Sequence, residues 1–97
     1  MYTINNTINL SHFNGLKVSK LLDIDIKEVL LISLERAAVF PTHSSPTNVH
    51  LLMLEGVVKF FIDGKEFILK KYQIFDFPKH KEHWVKAQEN SKFLIIR

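Results

Sequence analysis

The chain has 97 residues, a formal net charge of +3 and no cysteine. A chain of this length forms one domain, near the lower size limit for folding on a single hydrophobic core. Without cysteine, neither disulfides nor thiolate metal sites can stabilise it. No apolar run approaches the roughly 18 residues of a membrane span, and the first residues lack the basic start and apolar core of a secretory signal. We therefore expect a cytoplasmic protein without membrane contacts.

The basic residues do not follow the pattern that is typical of a nucleic-acid interface. The 13 Lys and Arg residues are interleaved with 10 Asp and Glu residues along the chain. Nucleic-acid-binding surfaces are usually rich in arginine and interleaved with aromatic residues. We therefore expect no nucleic-acid partner, and a solvated lysine surface that discourages edge pairing of strands. The densest set of lysines is Lys65, Lys70, Lys71, Lys79, Lys81 and Lys86.

The first part of the chain predicts an arm followed by a sheet. Residues 1–20 have no regular period, since asparagines and Gly15 interrupt it, and they predict an irregular N-terminal arm with at most one short strand near residues 7–10. Residues 21–26 alternate apolar and acidic side chains, and residues 28–35 form a continuous apolar run. We predict that these two strands pair and that residues 21–97 form a single β-domain.

The middle of the chain contains its most specific turn signals. A polar loop around His43 leads into a strand over residues 48–55, a corner at Gly56, a second apolar strand, and an Asp63-Gly64 hairpin. Because side chains alternate along a strand, residues 49, 51 and 53 share one face and His50 lies on the other. Shorter strands follow at residues 65–70, 74–77, 83–88 and 92–96.

Many short strands with closely spaced turns indicate an all-β sandwich or barrel. Several strands are apolar on both faces, which is more apolar surface than the interior of one small barrel needs. We expect the second face to be buried in a homodimer, with coverage by the N-terminal arm as the alternative.

The spacing of Ala37, His43, Ser45, Val49 and Gly56 resembles the first motif of the cupin superfamily. That motif runs Gly, five residues, His-any-His, three or four residues, Glu, six residues and Gly. Ala37 takes the first Gly position, His43 and Ser45 the two His positions, Val49 the Glu position, and Gly56 closes the motif in register.

A second cupin motif runs Gly, five residues, Pro-any-Gly, two residues, His, three residues and Asn. Tyr72, Pro78, His80, His83 and Ala87 occupy those positions in order. The resemblance covers roughly residues 21–97, most of the chain, and implies a jelly roll, or double-stranded β-helix barrel. Of the four metal-ligand positions that cupins typically use, only the first and the last hold histidine here.

The resemblance implies that His43 and His83 share a cavity. Taken singly, each histidine is better explained as a structural residue bonded to its own loop, but together, at motif spacing, they indicate a shared pocket. Walls from Phe60 or Phe61 and from Phe75 or Phe77 would make it mainly apolar. We expect the pocket to be lined by His43, Ser45, Val49, Leu51, Met53 and His83.

The function that these observations favour is a metal-depleted cupin that binds a small molecule or acts as a sensory module, without a cofactor. The alternative is a metal-dependent enzyme of dioxygenase or isomerase type, with His43 and His83 as ligands of Zn, Fe, Ni or Mn and His80 as a candidate third ligand. A polyanion-binding protein is a third, less favoured hypothesis. The sequence assigns no catalytic residue.

Overall fold

The computed structural model describes residues 2–23 and 27–97. The last part of the predicted strand 21–26 lies outside the described residues. Among the described residues, no helix is long and apolar enough to cross a membrane. The elements in chain order are α1 (Thr7–Leu10), β1 (Leu16–Asp23), β2 (Glu28–Leu34), β3 (Val39–His43), β4 (Val49–Glu55), β5 (Val57–Ile62), β6 (Lys65–Lys70), β7 (Ile74–Phe77), β8 (His83–Ala87) and β9 (Ser91–Ile96).

The strands form two antiparallel sheets. The five-stranded sheet has the order β1-β2-β9-β4-β7, and the four-stranded sheet has the order β3-β8-β5-β6. Strands distant in sequence are neighbours in both sheets, as in a jelly roll. The all-β jelly-roll prediction is therefore confirmed.

The core lies between the two sheets and follows the predicted alternation. Val49, Leu51 and Met53 on β4 are buried, whereas His50 between them is exposed and bonds to Asp76 on the outer surface through Nδ1 and Oδ1, 2.6 Å apart. The facing sheet contributes alternate residues of β5 and β8 to the same core. The largest fully buried side chains are Phe60, Phe93, Leu31, Ile32, Leu34, Leu51 and Met53.

The predicted hairpin at Asp63-Gly64 is confirmed. Ile62 and Lys65 are cross-strand partners on either side of the turn. Both turn residues have positive φ, +53° and +69°, as a type I′ turn requires. The hairpin joins β5 to β6 at the edge of the four-stranded sheet.

Two local predictions are wrong. The polar stretch before His43 is not a loop but the edge strand β3, and an edge strand tolerates Pro41 because it needs fewer ladder donors. Residues 7–10 form one helical turn rather than a short strand. Strand β1 begins at Leu16 and crosses residue 20, where we placed the end of the arm.

The N-terminal arm lies on the outer face of the five-stranded sheet. The buried hydroxyls of Ser11 and Ser33 are 2.7 Å apart. The ammonium group of Lys92 on β9 donates to the carbonyl of Ile8 at 2.8 Å and lies 5.1 Å from the ring centroid of Phe13. These contacts bury part of the apolar outer face. Coverage by the N-terminal arm was the alternative to a homodimer in the sequence analysis.

Four positions with positive φ coincide with the four glycine positions of the cupin motifs. Ala37, Gly56, Tyr72 and His80 have φ of +70°, +81°, +70° and +64°. Only glycine adopts this conformation without steric cost. A Cβ at Gly56 would collide with the backbone of Asn90 and Ser91. The backbone therefore has a positive φ at all four motif positions, although Gly56 is the only glycine among them.

Candidate functional site

Two strands of the four-stranded sheet bring His43 and His83 together. His43 ends β3 and His83 begins β8, and the two residues are cross-strand partners. The pairing has a register shift between Phe40 and His43, which is a β-bulge of the kind that re-aims a side chain. The two imidazoles meet at one end of the sheet as a result.

Hydrogen bonds to the backbone orient both rings. The Nδ1–H of His43 donates to the carbonyl of Pro41 at 2.6 Å, and the Nδ1–H of His83 donates to the carbonyl of Lys81 at 2.9 Å. A carbonyl can only accept, so both Nδ1 atoms carry a proton. Each Nε2 atom is consequently the free ring nitrogen, and the two Nε2 atoms are 3.0 Å apart.

The two Nε2 atoms are the hydrogen-bond acceptors of the pair. Two unprotonated nitrogens at this distance would direct lone pairs at each other, so a hydrogen bond between them needs one additional proton shared by the pair. Burial lowers the pKa of His83, its bond to the Lys81 carbonyl partly opposes this, and the proximity of His43 lowers the pKa further.

Aromatic side chains fix the orientation of the two imidazoles. The His83 ring stacks on Phe60, with centroids 5.3 Å apart, and meets Phe77 edge-on at 4.6 Å. The His43 ring stacks on Phe40 at 4.2 Å. Packing on several sides and one backbone bond per ring leave little rotational freedom, so the Nε2 atoms are preorganised.

A cavity of about 170 Å³ opens beside the two histidines. Four of the six predicted pocket residues line it, namely His43, Ser45, Val49 and His83. Leu51 and Met53, the other two, are fully buried in the core and do not line it. The remaining lining residues are Val18, Leu30, Ile32, Phe40, Phe77, Ile95 and Arg97.

The polar groups of the cavity wall already have partners. The Ser45 hydroxyl accepts from the backbone N–H of Thr47 at 3.2 Å. The Arg97 guanidinium donates to the Glu28 carboxylate through Nε at 3.0 Å. The Ser45 hydroxyl and the terminal nitrogens of Arg97 keep donors beyond these bonds, so a ligand can meet them as well as the pair of Nε2 atoms.

Comparison with known proteins identifies the fold. No protein-family profile and no curated protein matches the sequence. Among solved structures, an RmlC-like cupin from Desulfovibrio desulfuricans has a TM-score of 0.85 at 17% identity, covering 99% of this chain and 95% of that one. A cupin-2 domain containing protein from Shewanella frigidimarina reaches 0.81 at 20% identity, covering 99% and 92%. The protein has the cupin fold.

A third neighbour has the same fold and no known role. This conserved protein of unknown function from Streptococcus pyogenes has a TM-score of 0.82 at 18% identity, with 98% of this chain and 84% of that chain covered. Likeness at such identities concerns the fold of these small single-domain cupins. The role of this chain has to be argued from its own cavity.

The side chains at the cavity are too few to form the metal site that cupins typically have. Imidazole ligands at about 2.0–2.1 Å from one ion would place their nitrogens about 3 Å apart, which the Nε2 pair satisfies. A bond from Nδ1 to a carbonyl is also the usual support for a metal-binding histidine. However, Val49 replaces the carboxylate, and residues 2–23 and 27–97 contain no group of three His, Cys, Asp or Glu side chains that could hold a metal.

The candidate third ligand, His80, does not line the cavity. It is exposed in the turn before β8, and its backbone N–H donates to the Ser45 carbonyl at 2.9 Å. Its positive φ of +64° places it in the turn. Metal binding by His43 and His83 stays a prediction. Within residues 2–23 and 27–97, no third His, Cys, Asp or Glu side chain joins these two imidazoles.

Six wall residues escaped the sequence analysis, namely Val18, Leu30, Ile32, Phe40, Ile95 and Arg97. Arg97 follows Ile95 by two positions at the end of β9, so strand parity could have placed both on the cavity side. Phe40 could not be found in this way, because its position depends on β3, which we predicted as a loop. The ring of Phe40 supports His43 directly.

Proposed function

We propose that this cupin binds a small organic ligand in the His43–His83 cavity, as a binding or sensory module whose metal site is depleted. The observation that carries the proposal is a cavity of about 170 Å³ with a mainly apolar wall and one preorganised imidazole pair. An apolar cavity of about 150 Å³ accommodates benzene. The ligand class is therefore a molecule of about six to ten non-hydrogen atoms with one polar group.

The imidazole pair determines which polar group the ligand must carry. A hydroxyl or a protonated carboxyl group that enters between the Nε2 atoms can donate to one of them and accept from the other when that one carries an additional proton. This exchange replaces the bond between the rings without leaving either nitrogen unpaired. Apolar side chains such as Ile32 and Val49 would contact the rest of the ligand.

The test is a titration of the ¹⁵N-labelled protein with benzyl alcohol, benzoate and cyclohexanol, followed by NMR. We expect at least one probe to shift the resonances of His43, His83 and Val49 in a saturable way. Val18 lines the cavity and is 47% exposed, so Val18→Phe should block the cavity without disturbing the core. His50→Ala, on the outer surface, is the matched control and should bind normally. Saturable shifts that survive Val18→Phe would refute this location.

One observation favours a metal-dependent enzyme as a second candidate. The Nε2 atoms converge at the separation that two ligands of one ion would have. Titration with Zn²⁺, Ni²⁺, Mn²⁺ or Fe²⁺ distinguishes the two candidates. Tight binding of one ion per chain, lost in His83→Ala, would support the enzyme, whereas weak binding supports the metal-depleted module.

We also propose a homodimer formed through the part of the five-stranded sheet that the arm leaves open. Leu52 pairs with both Ile74 and Leu94, so these three side chains share the outer face, and Ile74 is 66% exposed. Burying such a patch against a second copy removes apolar surface from water. Light scattering should give twice the chain mass, and Ile74→Glu should return it to a monomer.

A further inference from the structure

The outer face of the four-stranded sheet carries a pair of stacked aromatic rings. Phe61 on β5 and Trp84 on β8 are cross-strand partners, with ring centroids 3.8 Å apart and planes 8° apart. Their neighbours Phe60, Ile62 and Val85 are buried in the core. By strand alternation, Phe61 and Trp84 therefore point away from the core.

Basic side chains surround this pair on one side. Lys59 and Lys86 are directly opposite each other on β5 and β8, an arrangement of like charges that disfavours the sheet. With Arg36 and the two rings they line a surface groove of about 380 Å³. Its lining, within the described part of the chain, contains no acidic side chain.

Among the described residues, the cations of this groove make one side-chain ion pair, with Glu66, the cross-strand partner of Phe61, and it is weak. Glu66 lies 3.8 Å from the Lys59 ammonium group, and both side chains are more than one third exposed, so solvent screens the pair. Lys86 is exposed. The groove is thus a cationic surface with an aromatic wall, whose like charges a bound anion would relieve.

We propose that the groove formed by Arg36, Lys59, Phe61, Trp84 and Lys86 binds single-stranded nucleic acid. Proteins that bind single strands without sequence preference combine aromatic rings, on which bases stack, with cations that follow the phosphates. The stacked rings and the adjacent cations supply both parts, and they fit an aromatic polyanion better than a simple anion, which would leave the rings unused. This site is separate from the His43–His83 cavity, which lies between the sheets.

A second groove extends the surface beyond the ring pair. It has a volume of about 310 Å³ and is also lined by Phe61 and Trp84, together with Lys65 and Gly64 of the hairpin. Asp63, which lines it too, is bonded to Lys81 at 3.3 Å. Glu82 is exposed and also lines this groove, and its carboxylate disfavours a phosphate there. A strand that stacks on the ring pair is therefore expected to continue toward Lys59 and Lys86.

The sequence analysis did not find this surface because the rings and the lysines are not adjacent along the chain. Phe61 and Trp84 are 23 positions apart, and only the β5–β8 register brings them into contact. The expectation against a nucleic-acid partner rested on the interleaved acidic residues, the few arginines and the missing aromatic interleaving. The folded chain supplies the last of these.

Trp84 is the only tryptophan of the chain, so its fluorescence reports on binding directly. The probe is an oligothymidylate of about ten nucleotides, within the site size of such proteins. We expect saturable quenching at low salt, with an affinity that falls with salt at a logarithmic slope of about −2 for three phosphate contacts. A sugar-phosphate oligomer without bases and a duplex of the same length should each bind at least about fivefold more weakly.

Substitutions of lysines on the outer surface should leave the fold intact, so they test binding separately from folding. Lys59→Gln with Lys86→Gln should reduce the salt slope by about 1.4, whereas Lys17→Gln, on β1 of the other sheet, should leave it unchanged. Phe61→Leu retains Trp84 and should weaken binding about fivefold or more. Absence of quenching, equal binding of the base-free oligomer or of the duplex, or an equal effect of Lys17→Gln would overturn the proposal. Fluorescence that responds to protein concentration and not to the oligonucleotide would assign the surface to a second copy instead, and would also overturn it.

Discussion

Replacing Ala37 by glycine should stabilise the protein. Ala37 has a φ of +70° and an exposed side chain, so the substitution removes steric strain and almost no packing. A left-handed conformation costs a non-glycine residue about 1–2 kcal/mol, and the greater freedom of glycine in the unfolded chain returns about 0.4–1 kcal/mol of this. The expected net gain is about 0.5–1 kcal/mol.

Thermal and urea unfolding measure this gain. For a domain of this size, 1 kcal/mol corresponds to about 4–8 °C, so Ala37→Gly should raise Tm by roughly 2–8 °C. The adjacent Ala38 has no positive φ and packs against the core, so Ala38→Gly should lower the free energy of unfolding by at least about 0.5 kcal/mol. Destabilisation by both substitutions would refute the inference that the motif conformation persists at position 37.

Two further predictions concern the corner and the histidine pair. Gly56→Val should destabilise the fold by about 2–5 kcal/mol, because φ is +81° and the Cβ would meet Asn90 and Ser91; an unchanged urea midpoint would contradict the motif register. The pKa of His83 is lowered in the folded protein, so the unfolded chain binds this proton more readily. Stability should therefore be complete above about pH 6.5 and fall as the pH drops below it. In His83→Gln the unfolding free energy should depend less on pH over this range, and an equal dependence would contradict the assignment.

The sequence predicted the parts of the fold that depend on local patterns. Alternation correctly placed Val49, Leu51 and Met53 in the core and His50 outside, because each strand has one buried face. The Asp63-Gly64 turn was found because few dipeptides accept two positive φ angles. Motif spacing also indicated that His43 and His83 would approach each other, and in the structure they are in contact.

The remaining features depend on pairing between distant strands. Strand β3 was missed because Pro41 is unfavourable in a strand unless the strand lies at an edge, and the edge exists only in the assembled sheet. Tyrosine and histidine rarely adopt a positive φ, so the positive φ of Tyr72 and His80 could not be predicted from residue type. The surrounding turns impose it. Leu51 and Met53 point to the same side of β4 as Val49, but they lie deeper in the core than the cavity reaches. The alternation of side chains along a strand cannot show this depth.

We propose that the protein has the cavity of its fold and holds no resident metal ion. Elemental analysis of tag-free protein, purified without chelator beside His83→Ala, tests it most directly. We predict well below one metal ion per chain in both proteins, because Val49 and Ser45 replace two of the four ligands. A metal content near one per chain that disappears in His83→Ala would contradict the claim and make the metal-dependent enzyme the correct account.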